Sequence, residues 1–211
     1  MPDLFHIVAE PRRPVSQPYS CLVLLHGRGS NEEDLFGLVP ELPPELFVVS
    51  FRAPYRMPWG GFMWYDMVEN GRPEESTFQE ALGSLLAALR ALPGQYAIDP
   101  ERLFLGGFSQ GAMMSACVTL VQPSLARAAI MLSGYLPAAG LEIDASGSKG
   151  KSLFMGHGTL DSLLPVSLAQ RARAELEELG LKVEYHEYPM DHQVVPQELA
   201  DLRAWLDRQL A

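Results

Sequence analysis

The 211-residue chain is 47% hydrophobic and 20% charged, enough apolar side chain to bury a sizeable core, and it reads as one domain over residues 1–211. Sixteen Lys and Arg stand against 26 Asp and Glu, a formal charge of −10, which repels phosphate backbones and anionic membrane surfaces and argues against a nucleic-acid partner. The N-terminal stretch lacks the basic-then-apolar order of a signal peptide, and apolar runs such as CLVLL fall far short of the roughly 20 residues of a spanning helix, so integral membrane association is not expected. Cys21 and Cys117 lie inside apolar patterns and read as buried thiols of a cytoplasmic protein.

Short apolar runs alternate with stretches of helical period. Strands are expected over residues 4–8 and 21–26, and Ser30 followed by Glu33 has capping-box spacing that predicts a helix beginning near Asn31. A strand over 46–51 follows, then an irregular segment at 53–73. Thr77 and Glu80 repeat the capping-box spacing and predict a helix from about Phe78 that stops before Pro93 and Gly94. Beyond it, strands over 103–107, 128–133, 152–156 and 182–188 alternate with helices over 110–121, 166–179 and 196–210, Pro196 opening the last of these and Trp205 lying on its buried face. A second irregular segment covers 137–150. Most strands are rich in Val, Ile, Leu and Phe without polar alternation, the pattern of strands covered on both faces. The fold class is therefore α/β, a mostly parallel central sheet of about seven strands with helices on both sides. Long irregular segments in such folds often wall a binding site.

The most informative stretch is LFLGGFSQG, residues 103–111. A buried parallel strand that turns at once into a helix leaves a crowded backbone, and Gly107 and Gly111 supply room for the turn. Ser109 is thereby held at the C-terminal edge of the sheet, against the positive end of the following helix. A serine hydroxyl needs a base, and the base needs an acid to orient it. Of His6, His26, His157, His186 and His192, the candidates downstream at that edge are His157 and His192. His192 follows the last strand in a short loop and is the choice, whereas His157 would share its strand end with the acid and His186 reads as a core or sheet-face residue. Asp161, past the strand at 152–156, gives the chain order serine, acid, histidine, with Asp191 and Asp144 as rivals. Oxyanion donors are expected from the backbone N–H of Gln110 and from that of Arg28 in the turn HGRG. HEXXH and paired CXXC are absent, and no metal or organic cofactor is expected.

LLHGRGSNEEDL, APYRMPWGGFMWYD, GGFSQGAMMS, HGTLDSLLP and the final Asp191-His192 pair together resemble the phospholipase/carboxylesterase family of small serine esterases, which includes acyl-protein thioesterases. The likeness covers nearly the whole chain. It implies an α/β-hydrolase fold without a separate lid domain, with Ser109 as nucleophile, Asp161 as acid, His192 as base and the Arg28 and Gln110 amides as oxyanion donors, and it raises a homodimer as the assembly. Asp191 is a departure, since the family commonly has glycine before the histidine.

The expected activity is hydrolysis of short to medium acyl esters of small molecules through an acyl-enzyme. A thioesterase acting on acylated proteins or thioester metabolites is the nearer alternative and a non-catalytic ligand-binding protein the more distant one. Phe62, Met63, Trp64, Tyr65, Leu163 and Leu164 flank the site and are candidates for an apolar acyl wall, the aromatic stretch also reading as core packing. Met113 and Met114 read as core.

Overall fold

A computed structural model of the protein describes residues 4–68, 72–137 and 140–211. In chain order its strands are β1 (His6–Ala9), β2 (Tyr19–Leu25), β3 (Phe47–Phe51), β4 (Tyr55–Arg56), β5 (Phe62–Met63), β6 (Ile98–Phe108), β7 (Ala128–Leu132), β8 (Ser152–Gly158) and β9 (Lys182–Tyr188). The helices are α1 (Glu75–Gln95), α2 (Gln110–Val121), α3 (Ala145–Ser148), α4 (Val166–Glu178) and α5 (Pro196–Leu210), with 3-10 turns at Leu35–Glu41 and Pro123–Leu125.

Seven strands form one sheet in the order β1-β3-β2-β6-β7-β8-β9, all parallel except β1, which runs antiparallel to β3. This is the expected α/β-hydrolase architecture. Strand alternation sorts the core onto two faces. Cys21, Val23 and Leu25 face α1 and α2, whereas Leu22 and Leu24 face the opposite layer, where Leu202, Trp205 and Leu206 of α5 pack. Leu85, Leu89 and Leu92 are the fully buried stripe of α1, each contributing roughly 1.5–3 kcal/mol by leaving water. On the same side of the sheet, α2 and α4 close over β7 and β8 through Ala116, Leu120, Ala172 and Leu176. Both cysteines are buried and free, and burial raises their thiols well above the ordinary value.

Three local expectations are corrected. No helix begins near Asn31, because the backbone of Ser30 pairs with Phe62 and the side chain of Asn31 accepts from the Glu33 amide, closing a local turn instead. The helix expected from Phe78 starts at Glu75, where the Glu74 carboxylate accepts from the Ser76 and Thr77 amides, and Thr77 donates its hydroxyl to Glu74. That helix also runs through Pro93, which falls in its last turn, and the Tyr96 amide still reaches Leu92 O. The segment at 53–73 contains the β4–β5 hairpin, with residues 69–71 outside the described part, and the segment at 137–150 contains α3, with 138–139 outside it.

Candidate active site

The strand β6 delivers Ser109 to the C-terminal edge of the sheet in a conformation few side chains adopt, φ 53° and ψ −118°. Backbone strain of this kind costs on the order of 1–3 kcal/mol and persists only where the surroundings enforce it. The enforcement is visible. The Ser109 amide donates to Leu132 O of β7 and its carbonyl accepts from Met113 in α2. A Cβ on Gly107 would lie 2.2 Å from the carbonyl carbon of Gly111, and one on Gly111 would lie 1.9 Å from Leu25 O, so strand and helix approach this closely only with glycine at both positions.

The loop after β8 carries Asp161 and the loop after β9 carries His192. Parallel neighbours bring the two ends together, and His192 Nδ1 lies 2.7 Å from Asp161 Oδ2. Asp161 is held on its other oxygen, where Oδ1 accepts from the Leu163 and Leu164 amides at 3.0 and 2.7 Å. Its side chain is fully buried, and the imidazole is 12% exposed. The Phe108 ring, 4.7 Å from the His192 ring, packs beside it. With Nδ1 engaged, Nε2 is the ring nitrogen available to a group in the cleft that His192 and Ser109 both line.

His157 is buried and donates from Nε2 to Leu164 O at 2.8 Å, with Asp161 Oδ2 3.4 Å away. It packs under the loop that carries Asp161 and does not line the cleft. Asp191 accepts at Oδ1 from the amides of Ser162 and His192 and from the Ser162 hydroxyl. These donors hold its carboxyl below the ordinary value and tie the loop of His192 to the loop of Asp161, while its side chain makes no bond to the imidazole. His186 stacks near Phe154 at the edge of the sheet.

Arg28 and Gln110 flank Ser109 on the cleft. The HGRG turn is fixed from beneath by buried His26, whose Nε2 accepts from the Ala53 amide and whose Nδ1 donates to Gly27 O. Burial lowers its basicity, so the neutral ring fits both bonds. The Gly29 amide donates to Phe62 O. Gln110 is buried and reaches back across the site, its Oε1 accepting from the Trp64 amide and its Nε2 donating to Tyr65 O.

The cleft around Ser109 has a volume of about 360 Å³. Of the six residues expected along an acyl wall, Tyr65, Leu163 and Leu164 line it. Phe62, Met63 and Trp64 stand elsewhere: Phe62 and Met63 pair with Arg56 and Tyr55 in the hairpin, and the fully buried Trp64 donates its indole N–H to His26 O. Met67, Phe108, Met113 and Tyr135 line the cleft without having been expected there. Met113 packs in the core as well, taking a hydrogen bond from the Tyr65 hydroxyl at 2.9 Å. Tyr135 follows β7, and its position past a parallel strand end is the signal that could have found it. Among the described residues no cluster of His, Cys, Asp and Glu could hold a metal ion.

The family model described as Phospholipase/Carboxylesterase matches residues 6–210. The chain is 29% identical to an acyl-protein thioesterase 1 of Mycosarcoma maydis, over 96% of this chain and 95% of that protein. It is 28% identical to the carboxylesterase SOBER1 of Arabidopsis thaliana, over 70% of this chain and 68% of that protein. Its fold matches a Bacillus cereus carboxylesterase with a TM-score of 0.87 at 23% identity, covering 97% of this chain and 94% of the other.

Proposed function

Because the chain belongs to the phospholipase/carboxylesterase family, we propose that it is a serine carboxylesterase in which Ser109 is the nucleophile, His192 the general base and acid, and Asp161 the carboxylate that orients the imidazole. The observation that carries this assignment is the 2.7 Å His192–Asp161 hydrogen bond on the same cleft as a serine held at positive φ.

Ser109 Oγ attacks the ester carbonyl carbon while its proton passes to His192 Nε2. The carbonyl oxygen takes the negative charge in the tetrahedral intermediate and faces the Arg28 and Gln110 amides; one such donor is worth about 3 kcal/mol. Collapse of the intermediate breaks the bond to the alcohol, which leaves with the proton from His192. Water then attacks the acyl-Ser109 ester with His192 as base, and the carboxylic acid departs. Asp161 stabilises the imidazolium in both halves. Tyr65, Leu163, Leu164, Met67 and Met113 receive the acyl portion of a small-molecule ester. The free, buried cysteines suit a reducing, cytoplasmic setting.

A thioester in place of the ester uses the same steps, with a thiolate as the better leaving group, and the likeness to an acyl-protein thioesterase over 96% of the chain supports that second reading. The test is turnover of para-nitrophenyl esters from acetate to palmitate and of the matching acyl thioesters, by wild type and Ser109→Ala. Activity should fall by about a thousandfold or more in the variant. Retained turnover in Ser109→Ala sinks the assignment, and the ester-to-thioester ratio of kcat/KM decides between the two substrate classes.

A further inference from the structure

The cleft at Ser109 does not end at Leu164. A second groove, of about 560 Å³, shares Met67, Tyr135, Leu163 and Leu164 with it and continues along α4. Leu168, Arg171, Ala172 and Glu175 line this groove at the spacing of one helix face. Its character therefore changes with distance from Ser109, apolar at Leu163, Leu164 and Leu168 and charged from Arg171 onward. At about 1.5 Å per residue, Arg171 lies on the order of 7–8 Å along α4 from its first residue, Val166. Arg72 lines the groove as well.

Arg171 has Glu175 four residues on, the spacing of a helical ion pair. On the neighbouring face of the same helix, Arg173 and Glu177 do close such a pair at 2.9 Å. Among the described residues Arg171 and Arg72 form no ion pair within 4.0 Å, so two guanidinium groups and one carboxylate line the far groove. In a chain of formal charge −10, this local positive excess runs against the overall field.

Resting on the esterase reading above, we infer that the groove selects acyl chains of medium length that end in an anion, namely half-esters of dicarboxylic acids. The chain lies along Leu163, Leu164 and Leu168, and its terminal carboxylate meets Arg171 and Arg72. Hydrolysis then releases the dicarboxylate and the alcohol.

The test compares kcat/KM for para-nitrophenyl octanoate and for the half-ester para-nitrophenyl suberate, which differ in the terminal carboxylate, with carboxyphenyl octanoate placing the anion on the alcohol side. Arg171→Gln should lower the suberate-to-octanoate ratio about fivefold, a modest change as befits a solvent-exposed ion pair. Arg171→Glu should lower it further, Arg72→Gln should act in the same direction, and added salt should shrink the wild-type ratio. Equal ratios in wild type, Arg171→Gln and Arg171→Glu overturn the inference, as does an Arg171 effect confined to carboxyphenyl octanoate. Turnover of octanoate with an unchanged ratio leaves the esterase reading intact, whereas no turnover of any ester overturns both.

Discussion

At the scale of single residues, the loops after β8 and β9 are joined by the Leu160 amide to Met190 O, by the His192–Asp161 bond and by Asp191, whose Oδ1 takes three donors from Ser162 and His192. Asp191 thereby fixes the backbone from which the imidazole projects, and under the proposed mechanism it is a positioning residue. Asp191→Ala should lower kcat by about tenfold with a smaller change in KM, because a misplaced base harms the reacting geometry more than ground-state binding. Asp191→Asn keeps an acceptor oxygen and should restore most of the rate. Equal kcat in wild type and Asp191→Ala would remove the clamp from the account. A second residue, Glu198 in the first turn of α5, is fully buried, with neither carboxylate oxygen hydrogen-bonded, and its carboxyl is pushed up to about 8 by burial. The Val195 amide at the N-cap pulls the other way without closing a bond to either oxygen. The folded pKa stands above the unfolded one, so the folded state binds the extra proton between about pH 4.5 and 8, and stability falls as pH rises through that window. Urea unfolding at pH 5 and pH 8.5 should show a loss of a few kcal/mol in wild type and a much smaller loss in Glu198→Gln. The same loss in both proteins would refute the assignment.

At the scale of elements, the junction of β6 and α2 is the most constrained part of the fold. A methyl group on Gly111 would strike Leu25 O at 1.9 Å and His26 O at 2.7 Å, both backbone atoms of the neighbouring strand and its turn. Gly111→Ala should therefore force α2 away from β2, lowering stability by about 2 kcal/mol or more and abolishing esterase activity. Wild-type urea midpoint and activity in that variant would contradict the role given to the turn. This element was legible in the sequence because its requirement is local: strand, glycine, serine and glycine must follow in order. The two capping boxes were misread for the opposite reason. Ser30 and Thr77 have the right spacing, but Phe62 captures the Ser30 backbone from a distant hairpin, and Glu74, a residue type seldom found at an N-cap, takes both amides at the start of α1. Trp64 and Tyr65 show the same limit. Adjacent aromatics look alike in sequence, yet Trp64, whose amide donates to Gln110 Oε1, stays in the core, whereas Tyr65, whose carbonyl accepts from Gln110 Nε2, packs in the core and also lines the cleft.

At the scale of the whole molecule, the parallel sheet collects the ends of β2, β6, β8 and β9 at one edge, and HGRG, Ser109, Asp161 and His192 arrive there from widely separated parts of the chain. Chain order and strand ends sufficed to name those residues, since a parallel α/β sheet gives every strand-to-helix loop on that edge a defined place. Groove direction and depth were not legible, because they depend on how α4 packs beside the loops carrying Met67 and Tyr135. None of the described helices is long and apolar enough to cross a membrane. The proposed activity rests on one covalent event, the attack of Ser109 on an electrophile under the influence of His192. Treatment with a fluorophosphonate, followed by peptide mass spectrometry, tests that event without any assumption about the natural substrate. One added phosphonyl group is expected, located on Ser109 and acquired far more slowly in His192→Ala. An unmodified protein, or a label on another residue, would contradict the proposed activity.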